Sequence, residues 1–124
     1  MGRKATIIGA GAVGATIAYT LAVSGNASEV VLIDINEQKA FGEAMDIRQG
    51  APFTPPINIY SGDYSDAVDS DIVIITSGIA RRPGQSRLDL AQTNVNIIKS
   101  ISPKITAVAP NAVYIIVSNP VDVL

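Results

Sequence analysis

Apolar residues in this chain cluster in five short runs, at residues 5–8, 29–33, 57–60, 72–76 and 113–117. The runs are rich in Val and Ile and scarcely alternate with polar positions, so they predict strands buried on both faces. Between them the spacing changes to helical. Residues 12–24 carry apolar side chains at helical intervals and stop at Gly25; residues 37–49 form a second helix closed by Gly50 and Pro52. A brief helical stretch at residues 65–68 follows the third strand. A long helix over residues 86–109 contains Pro103, which is expected to bend or break it because proline frees the carbonyl four residues back. Thr54-Pro55-Pro56, residues 77–85 and Pro110-Asn111 are loops, Ser118-Asn119-Pro120 ends the fifth strand, and residues 121–124 begin another element.

Strands alternating with helices, joined by right-handed crossovers, predict a doubly wound parallel sheet of order 3-2-1-4-5. This is an α/β Rossmann architecture in three layers, with residues 1–124 as one domain and the strand at 72–76 expected at its centre. Ligands of such sheets lie beyond the carboxyl ends of the strands, where the winding reverses.

Composition fits that picture. Of 124 residues, 48% are hydrophobic and only 16% charged, enough for a core covered on both sides. The formal net charge of −2 and the lack of a basic cluster argue against a nucleic-acid partner. Cysteine and histidine are both absent, which removes disulfides, thiol chemistry, the commonest general acid–base and the commonest metal ligand. No metal site is expected. Residues 1–28 loosely match a signal peptide, Gly2 with Thr6 a myristoylation pattern, and Asn26-Ala27-Ser28 a glycosylation acceptor. The first two are better explained by the strand and glycine loop they overlap, the third has meaning only in a secreted protein, no run is apolar enough to span a bilayer, and a cytoplasmic protein is expected.

Candidate chemistry starts at Gly9-Ala10-Gly11-Ala12-Val13-Gly14, a G-x-G-x-x-G placed between the first strand and the first helix. Gly9 permits the tight turn, Gly11 lets the backbone approach a pyrophosphate, and Gly14 allows close packing of the helix. Free N–H groups of the helix's first turn then face the phosphate charge. Asp34 ends the second strand, 20 positions after Gly14. A carboxylate there accepts hydrogen bonds from a ribose 2′-hydroxyl and repels a 2′-phosphate, so NAD is favoured over NADP. Asp34 could instead cap the second helix, a task for which Asn36 is better placed.

Three further stretches carry a family resemblance. Thr76-Ser77-Gly78-Ile79-Ala80-Arg81-Arg82-Pro83-Gly84-Gln85-Ser86-Arg87-Leu88-Asp89-Leu90 resembles the mobile active-site loop of lactate and malate dehydrogenases. Asn94 with Asn96-Ile97-Ile98 is similar to the helix after that loop, and Val117-Ser118-Asn119-Pro120-Val121-Asp122 to the end of the fifth strand. The resemblance covers essentially the whole chain. It implies an NAD-dependent oxidoreductase moving hydride between the cofactor and a small 2-hydroxy or 2-keto acid. It implies that Arg87 polarises the reacting carbonyl and that Arg81 reads the far end of the substrate. Asn94 and Asn119 would contact cofactor and substrate, Val117 would lie along the nicotinamide, and Ala12, Val13, Thr76 and Gly78 would join Gly9, Gly11, Gly14 and Asp34 at the cofactor. An arginine at 81 goes with a dicarboxylate, hence malate or oxaloacetate; L-lactate dehydrogenase is the alternative. Read without the motif, Arg81, Arg82 and Arg87 are solvated loop charges and Asn119 is a turn residue.

The resemblance also implies a proton-relay histidine, an aspartate that orients it and a second substrate-gripping arginine, all in a C-terminal half. A chain without histidine is therefore expected to be the cofactor domain of such an enzyme, inactive alone, whose parent forms a homodimer or homotetramer. A non-catalytic NAD-binding module is the rival reading. A P-loop nucleotide hydrolase is excluded, since no G-x-x-x-x-G-K-[ST] occurs.

Overall fold

The computed structural model describes residues 3–49, 58–76 and 86–117. Its strands are β1 (Lys4–Ile8), β2 (Glu29–Ile33), β3 (Asn58–Ser61), β4 (Ile72–Ile75) and β5 (Val113–Ile116). The helices are α1 (Ala12–Ser24), α2 (Glu37–Gln49) and α3 (Arg87–Val108), with a 3-10 turn at Tyr64–Ala67. All strands are parallel, in the order β3-β2-β1-β4-β5. The central strand is β1; β4 lies between β1 and β5, so its β-branched run marks an interior strand and not the middle one. A strand covered on both faces is equally apolar at either place.

Alternation along each strand divides the core into two. Ala5 and Ile7 of β1, Val30 and Leu32 of β2, Ile59 of β3 and Ile74 of β4 pack beneath α1 and α2. The helices meet them with small residues, Ala18 and Ala22 from α1 and Ala40 and Ala44 from α2, which brings the helix axes close to the sheet. On the opposite face Ile8, Val31, Ile33, Val73 and Ile75 pack beneath Ile101 and Ile105 of α3 and Ala67 of the 3-10 turn.

Local signals set the helix ends. Gly25 closes α1 in the left-handed region at φ 71°, where a Cβ is disfavoured. The Asn36 side chain accepts the Lys39 N–H at 3.1 Å and so caps α2. Ser86 caps α3 and Asp89 reciprocates in a capping box. Of the bend or break expected at Pro103, the break does not occur: α3 runs unbroken from Arg87 to Val108. Pro103 and Lys99 both lie on the exposed side of the helix, so the Lys99 carbonyl that loses its donor faces water.

The reversal of winding is pinned between β1 and β4. The Thr6 and Ser70 hydroxyls meet at 2.6 Å inside the core, and Ser70 donates onward to the Ala67 carbonyl. At the start of β1 the Lys4 N–H donates to the Asp71 carboxylate while the Asp71 N–H donates to the Lys4 carbonyl.

Candidate cofactor site

At the end of β1, Gly9 takes φ 112°, a conformation only glycine adopts without strain. Its N–H donates to the Ile33 carbonyl at 2.7 Å, which ties the loop to the end of β2. The Thr76 hydroxyl, at the end of β4, donates to the Gly9 carbonyl at 3.1 Å and to the Ile8 carbonyl at 3.2 Å. Gly14 is held against the same loop: a Cβ there would fall 1.8 Å from the Gly9 carbonyl oxygen. Gly11 has the opposite environment. Nothing lies within 4 Å of its would-be Cβ, although its backbone is extended and would accept a side chain. Its freedom from a side chain leaves space for something to approach the backbone. No side chain caps the first turn of α1, and no acidic residue sits in it. Those N–H groups thus face an open approach with the positive end of the helix dipole behind them.

Asp34 follows β2 and reaches across to this loop. One carboxylate oxygen accepts the Ala10 N–H at 2.7 Å and the other accepts the Asn36 N–H at 2.9 Å. Each oxygen retains a lone pair for a further donor. Asp34 therefore anchors the turn into α2 but does not cap it.

These elements surround a cavity of about 780 Å³ beyond the carboxyl ends of β1, β2 and β4. Gly9, Gly11, Asp34 and Thr76 line its loop side; Tyr64 of the 3-10 turn and Ile97, Ile101 and Lys104 of α3 form the facing wall. Ile35, 97% exposed, stands at the rim beside Asp34. Burial, and secondarily the Asp34 charge, push the Tyr64 phenol above its usual range, so the ring is neutral at physiological pH. The Lys104 ammonium lies 5.6 Å from the Tyr64 ring centroid, within cation–π reach. A hydrogen bond from the Ser65 hydroxyl holds the Asp63 carboxyl, also on the cavity wall, below its usual range. The result is a slot with an apolar and aromatic wall, a carboxylate at its rim and bare backbone N–H groups at one end. Its shape and donor set fit an adenosine joined to a pyrophosphate.

The remaining predicted residues fall at several places. Ala12 and Val13 occupy the exposed first turn of α1. Asn94 turns inward from α3 and is 1% exposed, away from the cavity lining. Val117 extends the β5 ladder, donating its N–H to the Ile75 carbonyl at 2.9 Å. Arg87 is the first residue of α3. Gly78, Arg81, Arg82 and Asn119 lie outside the described residues. Tyr64, Ile35, Ile97, Ile101 and Lys104 were not anticipated. Ile35 left a signal in the sequence, an isolated large apolar residue between Asp34 and Asn36, and Ile97 lies in the stretch that carries the family resemblance; Tyr64, Ile101 and Lys104 left none, because the crossover alone brings them opposite Asp34.

Comparison with known proteins agrees with this geometry. Residues 3–124 match the family described as lactate/malate dehydrogenase, NAD binding domain. An L-lactate dehydrogenase of Thermoanaerobacter sp. (strain X514) is 56% identical over 122 residues, which is 98% of this chain and 39% of that protein. One from Clostridium perfringens (strain SM101 / Type A) is 53% identical over 98% of this chain and 38% of its own length. Among solved structures, a minor L-lactate dehydrogenase of Enterococcus mundtii superposes with TM-score 0.91 at 40% identity, over 96% of this chain and 38% of that one. The malate dehydrogenase of Picrophilus torridus superposes with TM-score 0.90 at 37% identity, over 97% and 39%. The chain thus spans less than two-fifths of the length of these relatives.

Proposed function

This chain belongs to the lactate/malate dehydrogenase family, as its NAD-binding domain, and we propose that it positions NAD(H) for hydride exchange with a small 2-hydroxy acid in a longer enzyme. The observation that carries the proposal is Asp34 at the rim of the cavity, beside the uncapped first turn of α1. In this reading the N–H groups after Gly11 take the pyrophosphate, and Asp34 accepts the ribose hydroxyls. The adenine would be held by Ile35 on one side and by Tyr64 and Ile97 on the other. The nicotinamide, when bound, supplies the hydride chemistry; the protein's contribution is position, exclusion of water and charge. Asn94, Gly78, Asn119 and Val117 are assigned to the cofactor on the family resemblance alone.

For the substrate we propose malate and oxaloacetate, on the strength of Arg81. A guanidinium pairs with a second carboxylate through two hydrogen bonds, and over a methyl group it would stay unpaired. Arg87 polarises the reacting carbonyl in the same reading. A second reading, lactate and pyruvate, is favoured by the L-lactate dehydrogenase names of the curated relatives. The test joins this chain to the remaining part of the Thermoanaerobacter relative and measures kcat/KM for both keto acids. Oxaloacetate is expected to be preferred, and Arg81→Gln to shift preference toward pyruvate. A fusion preferring pyruvate with Arg81 in place decides for lactate.

A further inference from the structure

We propose that Thr76 is a positioning residue for the pyrophosphate, acting through the glycine loop and not by contact with the cofactor. The family resemblance implies that Thr76 touches the cofactor, whereas the geometry commits its hydroxyl elsewhere. A hydroxyl has one hydrogen. That of Thr76 is shared between the carbonyls of Gly9 at 3.1 Å and Ile8 at 3.2 Å, so although Thr76 lines the cavity it holds no free donor there. On the α1 side the hydroxyl is closed in by Gly14, where a Cβ would lie 3.0 Å from its oxygen.

The Gly9 carbonyl and the Ala10 N–H belong to one planar peptide group. Its oxygen is held by Thr76, from the end of β4, and its N–H by Asp34, from the end of β2, at 2.7 Å. The peptide group before it is held the same way. There the Ile8 carbonyl accepts the Thr76 N–H at 2.9 Å, and the Gly9 N–H donates to the Ile33 carbonyl at 2.7 Å. Two successive peptide planes are thus clamped between β2 and β4. The hydrogen bonds of α1 begin at once, with the Ala15 N–H donating to the Gly11 carbonyl at 2.9 Å. Only the Ala10–Gly11 peptide separates clamp from helix, and Ala10 is fully buried. The clamp therefore sets the direction of the N–H groups in the first turn of α1. Gly9 is where such control is needed, because glycine has no Cβ to restrict its dihedrals. Without the hydroxyl, the Gly9 carbonyl is a buried acceptor that has lost its side-chain donor. Water in the cavity that Gly9 lines is its replacement. Turning toward that water tilts the Gly9–Ala10 plane away from Asp34 and takes the N–H groups after Gly11 off the phosphate.

The inference rests on the reading of the cavity as a cofactor site, and the test keeps the two apart. Thr76→Val removes the hydroxyl and keeps the branched shape, and Thr76→Ala removes it without a methyl group to crowd the two carbonyls. Thr76→Ser keeps the hydroxyl. Amide NMR titrations with ADP and with adenosine compare ligands that do and do not carry the pyrophosphate, and urea unfolding reports stability separately. Thr76→Val and Thr76→Ala are expected to bind ADP about tenfold more weakly or worse, with adenosine within about twofold of the parent. Hydrogen exchange of the Ala10 amide, measured without ligand, should speed up about tenfold or more in both. Thr76→Ser should bring ADP affinity back to within about threefold of the parent. Equal losses for ADP and adenosine, or a lower urea midpoint with ADP affinity intact, indicate a structural role alone and overturn the proposal. A serine variant as weak as the valine one overturns it too. A parent chain that binds neither ligand overturns the cofactor reading and this inference with it; a parent that binds ADP, with Thr76→Val its equal, overturns this inference alone.

Discussion

The Ala10 N–H donates to the Asp34 carboxylate at 2.7 Å, so the residue at the rim of the cavity also holds the glycine loop in place. Ala10 is fully buried, and its N–H has no solvent to fall back on. Asp34→Ser is expected to narrow the preference for NADH over NADPH by removing the repulsion toward a 2′-phosphate. It should also weaken both cofactors and lower stability by about 1–3 kcal/mol, the cost of an orphaned buried donor. Cofactor titration with urea unfolding on the same variant checks both parts; an undiminished preference for NADH sinks the ribose role.

Gly11 and Gly14 should separate binding from folding. Gly14→Ala drives a Cβ into the Gly9 carbonyl and is expected to destabilise the domain by about 1–3 kcal/mol. Gly11→Ala meets open space, so its stability should stay within about 0.5 kcal/mol of the parent. Its methyl group occupies the approach to the backbone, and NADH affinity should fall about tenfold or more, about 1.4 kcal/mol. Equal thermal shifts for the two variants would contradict this division.

The two glycines show what the sequence could and could not disclose. Their separate tasks were readable from a strand, a G-x-G-x-x-G and a helix in succession, because those constraints are local. The strand order was readable for a similar reason: short crossovers leave few ways to wind a parallel sheet. The double duty of Asp34 was not readable, since its partner Ala10 meets it only through the β1–β2 pairing. Nor was the survival of α3 through Pro103, which depends on which side of the helix faces water.

The 124-residue chain should bind NADH and fail to oxidise it. The groups proposed for the pyrophosphate and ribose are present, whereas no histidine exists to deliver a proton to the developing alkoxide. Leaving that transfer to water forfeits about 10²–10⁴ in rate. Nicotinamide fluorescence should report saturable binding, and NADH absorbance with oxaloacetate should decay no faster than a blank. Measurable turnover by the purified chain would falsify this expectation.

Alkaline pH should unfold the domain through its tyrosines. Burial, and then a hydrogen bond to Glu29, push the Tyr60 phenol well above its ordinary value; burial raises Tyr64 and Tyr114 as well. A phenol whose folded pKa is raised keeps its proton after the unfolded chain has begun to lose it. Its contribution is therefore intact below about pH 10, the unfolded value, and is lost as pH rises from there toward the folded one. Urea midpoints measured from pH 8 to 11 should fall above pH 10, and less steeply in Tyr60→Phe. A midpoint rising over that interval would refute the assignment.

The hydroxyl pair between Thr6 and Ser70 bears on how the chain avoids winding wrongly. After β3 the chain must pass over two strands already laid down and enter the sheet beside β1, whereas placing β4 next to β3 would be shorter. In that shorter arrangement β1 would become an edge strand, and the Thr6 hydroxyl would have no Ser70 beside it. A valine at position 6 would pack as well and carry no such address. The pair thus marks the right neighbour for β1: its hydrogen bond forms only when β4 lies beside that strand.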